Sequence, residues 1–361
     1  MHMLYSGLGG HGSVFFSLVE ADIKKEFDYR AVFCGTVNML DDYKINCRRL
    51  QVPYHYLTKK NGVHTPSFFH LFKFFFKNRP TVIFLHGVTF GIISAFCYKI
   101  IKPRTKIIVR DTQAHHLKTR MEWFWMFFCI LLAKRIVVLT EVSAEGLKKK
   151  FGWMVQKKKI VLIPNGLKIE KYKPVGRLST EKKIAIGMQS RLQPIKDHPT
   201  LLRAFAILKE KFTNYSLSLH IAGDGETMPT IQELIKELGL QESVRLHGML
   251  NESELIEFMH SLDIYVHATF GETLSNSIMQ AMACGLPVIA SDVWGVNNMI
   301  TNNQTGLLYK SGDFEQLATL LEKLFNSPEL RTTLGNAARD FAINQYSDAV
   351  MFSRYKQLFS C

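Results

Sequence analysis

From one end of the chain to the other, short β-branched and aromatic runs alternate with longer stretches whose apolar residues recur every three or four positions. The first pattern is that of buried strands and the second that of helices covering them, so the alternation predicts parallel sheets flanked by helices. In the first half the predicted strands are Met3–Ser6, Ala31–Cys34, Tyr54–Leu57, Val82–His86, Lys106–Arg110, Ile136–Leu139 and Ile160–Ile163. In the second half they are Ile184–Met188, Ser216–Ala222, Val244–Leu246, Ile264–His267, Val288–Ala290 and Gly306–Leu308. Helical segments of about 10–16 residues separate most of them. The expected fold class is therefore α/β, with two doubly wound, Rossmann-like domains in series. The junction is expected near Lys171–Lys182, a stretch with Pro, Gly and charge but no periodicity, just after the turn Pro164-Asn165-Gly166. The domains expected are 1–175, 176–343 and a C-terminal helix over 344–361 that packs back on the first domain.

At 361 residues and 47% hydrophobic, the chain can fill two cores, which excludes wholesale disorder. Its six cysteines stand singly, without a CxxC pair or ligand-like histidine spacing, so neither a disulfide frame nor a metal site is expected. The start, MHMLYSGLGG, has no basic region followed by an apolar run, and a cytoplasmic location is expected. The net charge of +14 is unevenly placed: 29 Lys+Arg face 11 Asp+Glu up to residue 175, against 16 and 20 beyond it. A chain basic throughout would suggest nucleic acid. One basic domain joined to a mildly acidic one suggests instead that the first faces an anionic surface or substrate.

Two aromatic stretches bear on that surface. Ser67–Arg79, SFFHLFKFFFKNR, reads either as a helix lying at lipid headgroup level or as one packed on a sheet. Trp123–Ala133, WFWMFFCILLA, is far shorter than the roughly 20 residues that span a bilayer. It reads as a helix packed between a sheet and its neighbours.

The chemistry concentrates in Thr269–Asp292, TFGETLSNSIMQAMACGLPVIASD. Glu272 stands at the mouth of a loop that leads into a short helix of small and apolar residues, closed by Gly285 and Pro287. Free N–H groups and a positive dipole end suit an anionic phosphate there. A carboxylate beside that site can accept from sugar hydroxyls, and the two together describe a nucleotide sugar. After the second domain's first strand, Arg191 and Lys196 lie on a Pro-containing loop at a strand's carboxyl end, where open α/β sheets bind ligands. Two cations there could neutralise a diphosphate. Gly223-Asp224-Gly225-Glu226 and His247-Gly248 form sharp turns at further strand ends. Near the start, Gly7-Leu8-Gly9-Gly10-His11-Gly12-Ser13 lets backbone approach a ligand closely. Its spacing partly matches the dinucleotide fingerprint, but no acidic residue ends the second strand to hold an adenosine ribose, which disfavours a nicotinamide enzyme.

These residues carry a resemblance. Residues 183–310 resemble the donor-binding domain of glycosyltransferase family 4, retaining enzymes of the GT-B architecture, through SRLQPIKDHPTLLRAFAIL, LHIAGDGE, VRLHGML and GETLSNSIMQAMACGLPVIASDVWG. The first domain agrees through GLGGHGS, His86-Gly87 and VLIPNGLKIEKYKP. The resemblance implies two domains facing across a cleft, with the donor in the second. Arg191 and Lys196 match the pair on the donor diphosphate, and Glu272 matches the first glutamate of the family's E-x7-E motif, against the donor sugar. Thr273, Leu274 and Ser275 would offer backbone groups to the phosphates, and Gly9 and Gly10 match the loop closing over them. The motif's second glutamate, which holds the ribose, is Gln280 here. A histidine from the first domain's strand ends often touches the donor sugar in this family, and His86 is placed in that role ahead of His115 and His116.

The expectation is thus a retaining, hexosyltransferase-type enzyme, peripheral on the inner face of the plasma membrane. It would move sugar from a UDP- or GDP-sugar to a glycan or lipid-linked acceptor in cell-surface polysaccharide or lipopolysaccharide synthesis. No cofactor, no metal and no nucleic-acid partner are expected. A sugar-nucleotide epimerase of the same fold and a catalytically weakened binding partner are the alternatives.

Overall fold

The computed structural model describes residues 1–7, 10–58, 65–87, 91–113, 115, 118–155, 159–175 and 183–360, with backbone only at 65–68 and 153. Two compact units form: Met1–Gly166 with Asp348–Cys361, and Leu167–Ser347.

In the first unit the strands are β1 (His2–Tyr5), β2 (Ala31–Gly35), β3 (Tyr54–Thr58), β4 (Val82–His86), β5 (Lys106–Asp111), β6 (Arg135–Val138) and β7 (Ile160–Leu162). All pair in parallel, in the order β3-β2-β1-β4-β5-β6-β7. Helices α1 (Gly10–Ala21), α2 (Asp41–Arg49), α3 (Thr65–Asn78), α4 (Ile92–Ile101), α5 (Arg120–Leu132) and α6 (Glu141–Phe151) connect them. One face of the sheet, with Ile83, Leu85, Ile107 and Val109, packs against α3 to α6. On the other, Phe84 and Ile108 meet Val14 and Leu18 of α1 together with Met351 and Tyr355 of the last helix, α13 below. Strands covered on both faces need continuous apolar runs, which is why β4 and β5 lack polar alternation.

The second unit repeats the plan. Its strands are β8 (Lys183–Gln189), β9 (Ser216–Ala222), β10 (Val244–Leu246), β11 (Ile264–His267), β12 (Val288–Ser291) and β13 (Leu307–Tyr309). Their parallel order is β10-β9-β8-β11-β12-β13. The helices are α7 (His198–Lys211), α8 (Met228–Glu237), α9 (Glu252–Ser261), α10 (Asn276–Ala283), α11 (Phe314–Asn326) and α12 (Pro328–Tyr346), with α13 (Asp348–Ser360) belonging to the first unit. Strand order reverses between β8 and β11, so a crevice opens outside their carboxyl ends.

The units divide between Gly166 and Leu167, earlier than the expected junction, of which residues 176–182 lie outside the described residues. The reason is packing: Ile169 and Tyr172 are buried in the second unit's core with Ala338, Ala342 and Tyr346 of α12. The Leu167 N–H also donates to the Tyr346 carbonyl at 2.7 Å. The same contacts carry α12 past the expected boundary at 343.

Trp123–Ala133 packs on the first sheet as a helix, as expected, but by one side only. Of α5 only Met126, Cys129 and Ile130 are fully buried, and Phe124, Phe127 and Leu131 face outward. Composition could not distinguish these, because every position of that stretch is apolar and the helical period leaves no polar face to read.

Candidate functional site

The loop after β8 is fastened on both sides. Along β9, Ser190 N–H donates to Ala222 O at 3.0 Å and Leu192 N–H to Asp224 O at 2.9 Å. Toward β11, Asp197 N–H donates to Ala268 O at 3.1 Å and Phe270 N–H to Ile195 O at 2.9 Å. His198, buried at the start of α7, spans the loop from within, one ring nitrogen 3.1 Å from Ser190 Oγ and the other 3.1 Å from Lys196 O. Asp197 caps α7 by accepting from Thr200 N–H at 3.2 Å. A loop held this way delivers Lys196 in a fixed place.

Lys196 Nζ donates to Glu272 Oε1, and His267 Nε2 lies 3.2 Å from the same oxygen. Lys196 is 8% exposed, Glu272 20% and His267 1% at the side chain. Burial pushes the Glu272 carboxyl up, but the hydrogen bond from His267 and the Lys196 charge outweigh it and hold it at about 2. His267 moves the other way: burial lowers its pKa despite the carboxylate, so the ring is neutral and Nε2–H donates. Its Nδ1 lies 3.4 Å from the Tyr265 hydroxyl, which donates to Gln189 O at 3.1 Å. The result is an ionised carboxylate with one ammonium and one neutral imidazole behind it, at the carboxyl end of β11.

Beside it stands the start of α10. Ser275 Oγ accepts from Ile278 N–H at 3.3 Å as the N-cap, so the positive end of the α10 dipole lies beside Glu272 in the chain. Ser275 N–H donates to Met299 Sδ at 3.3 Å, so one of the three backbone groups expected at a phosphate is engaged elsewhere. The helix ends in a Schellman arrangement: Gly285 N–H donates to Met282 O at 2.9 Å and Leu286 N–H to Ala281 O at 3.1 Å, with Gly285 at φ 72°. Gly295, at φ 85°, packs where a Cβ would come 1.9 Å from Glu272 O, and Glu272 N–H donates to Trp294 O at 3.2 Å. The 292–295 turn thereby supports the catalytic candidate from below.

The other expected residues fall as follows. Arg191 is exposed and makes no side-chain hydrogen bond or ion pair among the described residues. Gly223, at φ 137°, would drive a Cβ to 1.8 Å from Ser190 O, and its N–H is taken by Gly248 O at 2.7 Å. It therefore shapes the Arg191 loop by close packing. Gln280 Nε2 donates to the Tyr172 hydroxyl at 3.0 Å, which fixes its amide. In the first unit Gly10 is the exposed first residue of α1, while Gly9 lies outside the described residues, as does His116. His115 lies 3.6 Å from Asp111, which also bonds Lys118 at 2.5 Å. His86 does not present an exposed ring. It is 8% exposed, packs edge-on to Phe84 at 4.5 Å and lies 3.1 Å from His2 Nδ1, and burial lowers its pKa well below the usual value. A strand position whose alternate side chains face α1 and α13 cannot also turn its ring to solvent.

Sequence reasoning missed His267, Tyr265, Gln189 and Ser277, whose hydroxyl donates to Gln189 Oε1. The available signal for His267 was a histidine ending an apolar strand, two residues before the Thr269–Asp292 segment and five before Glu272. Among the described residues no group of three or more His, Cys, Asp or Glu is placed to hold a metal ion.

Comparison with known proteins adds to this geometry. The capsular polysaccharide biosynthesis glycosyltransferase CapM of Staphylococcus aureus is 25% identical over 304 residues, 79% of this chain and 78% of CapM. Two further relatives, from Bacillus subtilis and Methanocaldococcus jannaschii, are matched over 58% of their own length. The fold matches that of Anabaena HepE, solved with UDP, at a TM-score of 0.83 and 16% identity over 100% of both chains. The same protein has been solved with UDP-glucose. The lipopolysaccharide outer core galactosyltransferase WaaB matches at 0.76 and 17% identity, over 100% of this chain and 99% of WaaB. The sequence model of Glycosyl transferases group 1 matches residues 169–341, and that of Glycosyltransferase Family 4 matches residues 8–171. With one model on each unit and the Lys196–Glu272 pair inside the group 1 match, the chain belongs to the family 4, group 1 glycosyltransferases, of GT-B fold.

Proposed function

We propose that this protein transfers a hexosyl unit, with retention, from a UDP- or GDP-sugar to a glycan or lipid-linked acceptor of a cell-surface polysaccharide or lipopolysaccharide. The observation that carries the reading is the Lys196–Glu272–His267 group beside the start of α10, at the switch point of the second sheet. An ammonium has three donors, so Lys196 can keep Glu272 and still offer two to a diphosphate. Arg191, uncommitted among the described residues, supplies a second cation. Together with the α10 dipole they would offset charge growing on the leaving nucleoside diphosphate, without a metal ion. Glu272, ionised and backed by two donors, would accept from hydroxyls of the donor sugar and orient its anomeric carbon. Gln280 would meet the ribose through one amide acceptor and one donor. The capsular role of CapM and the complexes of HepE with UDP and UDP-glucose support the substrate class.

The test is a thermal-shift and calorimetric screen against UDP-, GDP- and ADP-sugars, followed by NMR of the product's anomeric configuration. A ligand at 100 times its dissociation constant should add about 2.7 kcal/mol of stability. A glycoside with the donor's anomeric configuration is expected. No shift with any nucleotide sugar would overturn the reading, and release of an epimerised free sugar nucleotide without acceptor would replace it with an epimerase.

A further inference from the structure

The first sheet carries a buried polar layer that the donor chemistry does not use. Strand order reverses between β1 and β4, so this unit has a crevice of its own outside the carboxyl ends of those strands. His86 ends β4, and Arg110 is its register partner on β5. Two residues earlier on each strand, Phe84 and Ile108 face α1 and α13, so His86 and Arg110 share that face. Asn165 Oδ1 accepts from Arg110 Nη2, and the Tyr355 hydroxyl of α13 lies beside the guanidinium.

What this layer lacks is a negative charge. Arg110 is 1% exposed, and no carboxylate among the described residues pairs with it. Its chain neighbour Asp111 lies on the opposite face of the strand, bonded to Lys118. Four buried atoms have no hydrogen-bond partner among the described residues: Arg110 Nε and Nη1, His86 Nδ1 and the Tyr355 hydroxyl. Burial lowers the Arg110 pKa, yet a guanidinium keeps its proton in a protein. His86 and His2, 3.1 Å apart, are held neutral by burial, which puts both well below the usual pKa. The layer is therefore one fixed positive charge among neutral groups. A buried cation without a counter-charge is costly, and buried donors without partners are rare in folded proteins. Gly87 N–H donates to Arg110 O at 3.0 Å, and a Cβ on Gly87 would meet no described atom within 4 Å. The described residues thus leave space at this strand end.

We propose that Arg110, Tyr355 and His86 form a subsite for a singly charged oxyanion on the acceptor, either the carboxylate of an acidic sugar or the phosphodiester of a lipid anchor. Arg110 supplies the charge, its Nε–H and two Nη1–H donors, and Tyr355 adds its hydroxyl. One guanidinium balances one negative charge, and a dianion would leave an excess charge buried. The inference rests on the reading of this protein as a transferase whose acceptor lies on the first unit. The site is internal, between the sheet and α13, and separate from the cations on that unit's surface.

Full-length protein is titrated by calorimetry with glucuronate and with dimethyl phosphate, against glucose and chloride at matched ionic strength. Saturable binding of at least one of the two anions is expected, with none of glucose. Glucuronate alone assigns the acidic sugar, and dimethyl phosphate alone assigns the lipid anchor. Arg110→Met should weaken binding by about tenfold or more, the worth of hydrogen bonds from a charged donor. Tyr355→Phe, which removes one hydroxyl, should weaken it by about fivefold. Scanning calorimetry reports whether each variant is folded, and Tyr355→Phe decides if Arg110→Met is not. No saturable binding by the wild type, glucose binding as tight as glucuronate, or unchanged affinity in every folded variant overturns the proposal. Donor binding is read separately with nucleotide sugars. A wild type that binds a nucleotide sugar but neither anion sinks the subsite alone. One that binds an anion but no nucleotide sugar sinks the transferase reading and leaves only an anion site.

Discussion

Replacing Glu272 by glutamine removes the charge against which Lys196 is buried. The carboxyl's ordinary value of 4.5 is drawn down to about 2, and each pKa unit is worth about 1.4 kcal/mol, so the ionised state contributes about 3 kcal/mol to the folded second unit. In a unit of this size, 1 kcal/mol moves the midpoint by about 2–4 °C, so Glu272→Gln should lower that unit's transition by about 6–12 °C at pH 7. The sign with pH follows from a depressed acid. Its contribution is complete above the unfolded value of 4.5 and is lost as pH falls from there through about 2. The gap between wild type and Glu272→Gln should therefore be constant from pH 7 to about 5 and close progressively below. Scanning calorimetry across that range, with Lys196→Met and the double variant completing a cycle, gives the coupling directly. A gap under about 2 °C at pH 7, a gap that persists undiminished at pH 3, or a coupling below about 0.5 kcal/mol would refute the ion-pair reasoning.

Gln280→Glu should tighten nucleotide-sugar binding about fivefold, because a carboxylate adds a charge-assisted bond to the ribose, while the Tyr172 hydroxyl, which accepts from Gln280 in the wild type, can turn to donate to it; calorimetry showing equal or weaker binding would remove position 280 from the ribose. Arg191→Ala should leave the melting temperature within about 1 °C, as an exposed residue would, while turnover falls by about 100-fold or more; unchanged turnover would exclude the cation from the leaving group. Gly295→Ala should cost more than about 2 kcal/mol in urea denaturation, since its Cβ would strike the Glu272 carbonyl and its φ of 85° suits glycine. A cost below about 0.5 kcal/mol would mean the turn relaxes freely.

Strands such as Val82–His86, Ser216–Ala222 and Ile264–His267 were legible because a strand's period depends only on local backbone geometry. The loop cations and Glu272 were legible for a related reason: each lies within a few residues of a strand end or helix start, so short-range order places it at the sheet's carboxyl edge. The resemblance then named their roles. What joins them was not legible. His267 becomes the partner of Glu272, and Tyr172 that of Gln280, only once β8 pairs with β11 and residues 167–172 pack on α12. These contacts depend on crossover order and packing between segments up to 108 residues apart, which no local period encodes. The same limit hid His86, whose residue type suggests chemistry and whose strand face buries it between α1 and α13.

By itself, then, the order of amino acids determined two α/β halves, the carboxyl-edge loops and a basic first domain, because periodicity, turn chemistry and charge are carried by neighbours in the chain. Tertiary structure decided that Glu272 is ionised beside a neutral His267, that the first unit ends at Gly166, and that α5 turns Phe124 and Leu131 outward. Ionisation state, unit boundaries and the exposure of an all-apolar helix each depend on what the fold brings alongside.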